Sequence, residues 1–330
     1  MVEAIPSQEK LEAAFPQAET RVARIAALEQ YAQQIGLEEW SRVYMRNGAR
    51  QAQTLPMEVL LRNMEQSLHD FAVSHVNDLA DGWYNLRCEY MLTPTLTLSN
   101  GEQVAFKMIA DRIDRHKDGR WRIIDYKTSS QDKKPFKQHF EELEDGEDSA
   151  FYRFMNAAGY QYPLVTTEFE RKEETKKKFY RWKDVQLMLY AYGLRQLNAK
   201  DIHPSCAEES LKDVMPELFY YNLHIKTLRM QCYSLVEEGS LCPVPGKGKA
   251  SGYFCHTPES LLKNAMQTVD SAIRMIRDGV CLFSAEALKL KNRPFSKLTG
   301  DNKSKNAPRF GAISPKCDPR SLFNLPELSI

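Results

Sequence analysis

ADRIDRHKDGRWRIIDYKTSS, residues 110–130, reads as two strands joined by a tight turn at Asp118-Gly119. Strand side chains alternate between faces, so Asp125 and Lys127 share one face and Tyr126 takes the other. Two registers are open. A two-residue loop at Asp118-Gly119 pairs position 114 with 123 and puts Asp114 on the face of Asp125. A three-residue loop, Lys117-Asp118-Gly119 with Gly119 left-handed, pairs 111 with 125, 113 with 123 and 114 with 122. The second is expected, because Gly suits the left-handed third position and Arg122 then faces Asp114. That cross-strand pair is worth ~0.2–1 kcal/mol.

In this register Asp111 and Asp125 stand opposite each other, Cβ atoms ~5 Å apart, where like charges repel. Two carboxylates that close share either a proton or a cation. Oxygen donors without a soft ligand suit Mg²⁺ or Mn²⁺, which keep several waters and accept one or two carboxylates plus a phosphate. Lys127 is placed to orient or deprotonate a water, or to neutralise charge developing on a phosphoryl group. On local pattern alone the competing reading is a solvated hairpin with ordinary surface charges.

The rest of the chain sets bounds. Its 330 residues carry 45 Lys and Arg against 44 Asp and Glu, so overall charge argues neither for nor against nucleic acid. The start, MVEAIPSQEKLEAAF, lacks the basic-then-apolar pattern of a secretory leader. No apolar run reaches the ~20 residues of a membrane helix, and no membrane partner is expected. Seven cysteines without a CxxC pair point to a reducing, cytoplasmic setting.

Apolar spacing predicts helices over 18–35 and 57–79, giving a helical N-terminal region, 1–80. Strands are expected over 82–98, in the hairpin, and over 217–223 and 229–236. Helices are expected over 182–197, with Asp184 as N-cap, and over 260–279. Residues 131–180, with EELEDGEDS and ERKEETKKK, read as a polar insertion in a core spanning 81–280. Residues 281–330 form a basic extension; between 289 and 320, nine Lys or Arg face only Asp301 and Asp318. Such a stretch could track a DNA backbone, with a solvated tail as the equal alternative. The element order implies an α/β fold, a mixed β-sheet flanked by helices.

At DRID (111–114) and IDYKT (124–128) the sequence resembles the PD-(D/E)XK nuclease superfamily, specifically its RecB/AddB-type exonuclease domain. A second family motif matches QLMLYA at 186–191, where Gln186 and Tyr190 are one helical turn apart. The resemblance covers roughly residues 80–280 and implies a restriction-endonuclease-like fold and metal-dependent cleavage of DNA phosphodiesters, in the setting of DNA repair and recombination. It implies Asp111 and Asp125 as metal ligands and Lys127 as the water-activating residue. Gln186 and Tyr190 would contact DNA or the metal's water shell, and Glu89 matches a common acidic position.

There are departures. The family's Gly before DRID is replaced by MIA, and neither His69 nor His75 sits in the context of the family's upstream metal-proximal His. His75 lies on the apolar stripe of its helix and reads as a core histidine. Some relatives close an iron–sulfur cluster with a C-terminal Cys trio; here Cys317 stands alone near the end, which argues against such a cluster. Cys232, Cys242, Cys255 and His256 have poor spacing for a zinc site, and the cysteines read as buried structural residues instead. PGKGKAS (245–251) lacks the first Gly and the hydroxyl of a phosphate-binding loop. A helicase or ATPase motor is therefore expected on another polypeptide or domain.

Overall fold

The structure, a computed structural model, describes residues 3–45, 55–129, 131–143, 150–171, 174–224, 230–246 and 251–278. The basic stretch at 281–330 lies outside them.

The chain opens with helices α1 (Gln8–Ala14), α2 (Arg21–Met45) and α3 (Leu55–Asp81). Strands β1 (Trp83–Leu92), β2 (Thr95–Thr97), β3 (Gln103–Ala105), β4 (Met108–His116) and β5 (Trp121–Ser129) follow. The middle of the chain holds α4 (Pro135–His139), β6 (Phe140–Leu143), α5 (Ala150–Ala157), β7 (Val165–Arg171) and β8 (Glu174–Trp182). Next come α6 (Gln186–Leu194), α7 (Ala199–Ile202), β9 (Glu217–His224), β10 (Met230–Glu237), β11 (Ser240–Leu241), β12 (Val244–Pro245), β13 (Ser251–Phe254) and α8 (Pro258–Arg277).

The hairpin formed by β4 and β5 takes the three-residue loop. Asp114 pairs with Arg122 and Ile113 with Ile123. Gly119 has φ +99°, and its N–H closes the turn on the His116 carbonyl at 2.9 Å. That conformation is what only glycine adopts without strain.

Six strands form the principal sheet in the order β1-β4-β5-β9-β10-β11. All neighbours are antiparallel except β5 and β9, which are parallel. This is the mixed sheet of the restriction-endonuclease-like expectation. Its Asp111-side face carries Ile113, Trp121, Ile123, Leu218 and Tyr220, packed with Leu187, Met188 and Ala191 of α6 and Leu262 and Met266 of α8. Gly193 permits the close seat of α6, since a Cβ there would lie 2.9 Å from Met108 Cε and 3.4 Å from Leu92 Cβ. The opposite face carries Ile124, Phe219 and Tyr221 with Tyr126, and α3 covers it through Phe71, whose ring lies 6.2 Å from that of Tyr126. Burying both faces explains why β5 reads WRIIDY rather than as a clean alternation.

Residues 131–180, expected as a polar insertion, build most of a second sheet of order β12-β13-β7-β8-β6. Its Phe140, Val165, Phe169, Tyr180, Trp182 and Phe254 belong to the same core as the principal sheet. Among the described residues, no helix is long and apolar enough to cross a membrane.

Two expectations change. Helix α6 begins at Gln186, not 182; Asp184 precedes its N-cap, Val185, and accepts the Gln186 N–H at 2.7 Å. The cysteines at 232 and 255 are exposed and Cys242 is half-buried: Cys232 lies on β10, while Cys242 and Cys255 directly follow β11 and β13.

Candidate active site

Five of the sequence-predicted site residues meet. The β4–β5 ladder runs from Arg115↔Trp121 to Arg112↔Ile124 and ends there. One step further, the Asp111 carboxylate accepts the Tyr126 N–H at 2.7 Å, replacing a backbone rung with a side chain. The strands thus part where the two aspartates stand. Asp125 is 2% exposed. Its Oδ1 accepts from Gln186 Nε2 at 2.9 Å, and its Oδ2 lies 2.6 Å from Lys127 Nζ without an aligned hydrogen bond. Lys127 Nζ donates to Gln186 Oε1 at 2.9 Å. Gln186 Nε2 also reaches the Tyr190 hydroxyl at 2.8 Å. The α6 amide therefore ties together the acid and the amine of β5.

Electrostatics follow from this burial. Loss of hydration pushes the Asp125 carboxyl above its usual range; Lys127 opposes this, while the charges of Asp111 and Asp184 add to it. The Tyr190 phenol is pushed up to about 12, chiefly by burial. It stays a neutral hydroxyl at physiological pH.

Glu89 is placed differently. The flanking pairs Cys88↔Arg112 and Tyr90↔Ala110 put it across from Asp111 on β1, yet it is exposed and left-handed, with φ +48°. No hydrogen bond or ion pair joins it to the aspartates among the described residues. A non-glycine residue held in that region stores strain of order 1–3 kcal/mol and is a mark of functional positions.

Asp114 is on the other face, as the register requires, but not as a solvated cross-strand pair. It is 0% exposed, held by Arg112 Nε at 2.6 Å and by Arg122 Nη2 at 2.6 Å. Arg122 also reaches Asp78 of α3 at 3.0 Å. The two arginines more than offset the upward push of burial and hold the Asp114 carboxyl below its usual range. His75 is on this side too. Burial brings its pKa down to about 4, and its Nε2–H donates to the Ile5 carbonyl at 2.8 Å. It is a core histidine, as its apolar stripe suggested.

Two residues beneath the site were not evident from the sequence. Tyr220 lies beside Asp125 in the β5–β9 pairing, and Lys127 Nζ sits 4.7 Å above its ring, an arrangement that favours the cation. The Tyr220 hydroxyl donates to His139 Nε2 at 3.0 Å, and His139 Nδ1–H donates to the Asp184 carbonyl at 2.7 Å. The signal in the sequence was slight: a Tyr in ELFYYNL and a His in a segment read as insertion.

The donor set of Asp111 and Asp125 fits a hard divalent cation. Both contribute only oxygen, and Asp125 Oδ2 lacks an aligned donor. Among the described residues, no three or more His, Cys, Asp or Glu side chains gather as a metal cage, so an ion here would draw much of its shell from water and substrate, as Mg²⁺ does. The family model of the PD-(D/E)XK nuclease superfamily matches residues 5–287. No curated protein and no solved structure matches the chain.

Proposed function

The chain belongs to the PD-(D/E)XK nuclease superfamily, and on that premise we propose that it is a metal-dependent deoxyribonuclease of RecB/AddB type. In this reading it works as an exonuclease in a DNA-repair helicase–nuclease system, with the ATP-driven motor outside this chain. The observation that carries the reading is that Asp125 and Lys127 from β5 and Gln186 and Tyr190 from α6 form one bonded cluster, with Asp111 of β4 held beside it on the Tyr126 N–H. A non-catalytic binding module of the same fold would have no need to keep a buried, desolvated carboxylate beside an amine.

Asp111 and Asp125 would hold Mg²⁺ or Mn²⁺, with Glu89 as the further acidic donor. The ion, when bound, supplies Lewis acidity and charge neutralisation at the scissile phosphate. The chain's own groups do the rest. Gln186 fixes the orientation of Asp125 and points the Lys127 ammonium between Asp125 Oδ2 and its own amide oxygen. Lys127 orients the attacking water and stabilises the negative charge that grows on the phosphoryl oxygens as the P–O bond to the leaving strand breaks. Tyr190, neutral and bonded to Gln186, is a remaining polar group able to meet the substrate or the ion's waters.

Calorimetric titration with Mn²⁺ tests the metal half of this reading without any assay of cutting. Wild type should bind the ion, and Asp111→Asn should lose that heat. Equal binding by the two proteins would rule out a site built on both aspartates.

A further inference from the structure

We propose that Lys133, Lys134, Lys137 and Lys183 form the track that carries the phosphate backbone of a nucleic-acid strand to the aspartates; the inference rests on the nuclease reading and names its substrate-contact surface. The placement is set by a buried clamp. Asn222 faces Lys127 in the β5–β9 pairing and is itself 1% exposed. Its Oδ1 accepts the Lys133 N–H at 2.7 Å, and its Nδ2 donates to the Lys133 carbonyl at 3.1 Å. The lysine-rich segment DKKPFK (132–137) is thereby pinned beside the strand end that bears Lys127. Lys137 follows on α4. Lys183 Nζ donates to the Lys137 carbonyl at 2.8 Å, and Lys183 immediately precedes Asp184, whose carboxylate holds the first N–H of α6. The four lysines thus span from the Lys127 strand to the turn that delivers Gln186.

Their charges are also left over. None of the four forms an ion pair among the described residues. Lys177, Lys178 and Arg181 of β8, by contrast, are neutralised by Glu168, Glu142 and Glu141. The one acid within the segment, Asp132, accepts the Tyr233 hydroxyl at 3.1 Å, and Lys134 Nζ lies 4.8 Å from the centre of that same Tyr233 ring. Four like charges held along one margin, with no carboxylate paired to any of them among the described residues, repel each other. A polyanion laid along them converts that repulsion into affinity through release of its counterions. An extended row next to the aspartates fits a phosphodiester backbone better than a compact anion.

The test is the salt dependence of binding to a labelled oligonucleotide, single-stranded or duplex, followed by anisotropy in EDTA so that metal-dependent cutting plays no part. Each phosphate that a lysine no longer neutralises should lower the slope of log K against log salt by ~0.7 on a single strand and ~0.9 on a duplex. The quadruple variant K133Q/K134Q/K137Q/K183Q should therefore lose roughly 3 units of slope on a single strand. The exposed pair K137Q/K183Q should lose about half of that and guards against misfolding of the quadruple variant. K177Q/K178Q, on β8, should leave the slope as it was. An unchanged slope in the lysine variants, an equal fall in the β8 control, or no binding by wild type would each overturn the track. A fall in slope for the variants of a protein whose wild type never cuts DNA with Mg²⁺ would keep the track and sink the nuclease reading.

Discussion

Asp125→Asn should remove Mg²⁺-dependent DNA cleavage and leave the protein at least as stable as wild type. The two halves have one cause. Asp125 is almost wholly buried, and its carboxyl is pushed above the usual range by lost hydration, with Asp111 adding to the effect. A carboxyl whose folded-state pKa is raised binds its proton more tightly in the folded chain. Stability therefore falls as pH rises from the ordinary carboxylate range through that raised value, and stays at the lower level at neutral pH. An amide of the same shape removes the penalty and keeps an acceptor for the Gln186 Nε2–H. It cannot, however, supply the charge a divalent cation requires. Losing a cation that contributes several kcal/mol to the transition state lowers the rate roughly 10³-fold or more. Cleavage rate and thermal midpoint, measured on the same preparation, check both halves. A variant that cuts at the wild-type rate, or unfolds many degrees lower, would contradict the assignment.

Asp114→Asn should do the reverse, and strongly. Asp114 is fully buried between Arg112 and Arg122, and removing one partner of a buried ion pair costs about 3–5 kcal/mol, because the remaining charges stay desolvated. The sign with pH is opposite to that of Asp125. This carboxyl is held below its usual range, so its stabilisation is present above the ordinary carboxylate pKa and is lost as pH falls through the depressed one. Urea unfolding at neutral pH should show the loss, and the gap between variant and wild type should narrow towards acid. A loss below ~1 kcal/mol at neutral pH would return Asp114 to the status of a simple cross-strand pair.

The contrast between these two aspartates shows what the sequence made legible. Turn chemistry and alternation placed Asp111 and Asp125 on one face and Asp114 on the other, because a one-residue slip would move every side chain of the strand. What alternation could not give was the depth of each face. The burial of Asp114 depends on Asp78, 36 residues upstream on α3, and on Phe71 and Tyr126 closing the same layer. The spacing of Gln186 and Tyr190 was visible. That Gln186 would bridge Asp125 and Lys127 depended on α6 packing onto β5, a contact that no local pattern encodes. The second sheet was hidden by charge. In VTTEFER, Val165, Thr167 and Phe169 are buried while Thr166 and Glu168 are not, a period of two masked by the acidic and lysine-rich runs around it. Small residues gave little warning of close packing either; the need for Gly193 shows only once Met108 and Leu92 are seen beneath it.

The cluster of Asp111, Asp125, Lys127, Gln186 and Tyr190 is proposed to cut DNA with a divalent cation. Incubation of purified protein with end-labelled linear DNA in Mg²⁺, against the same reaction in EDTA, tests this most directly. Products should accumulate with time in Mg²⁺, with none in EDTA and none from Asp125→Asn in either. DNA that stays intact with folded wild type in both Mg²⁺ and Mn²⁺, or cleavage that continues in EDTA, would contradict it.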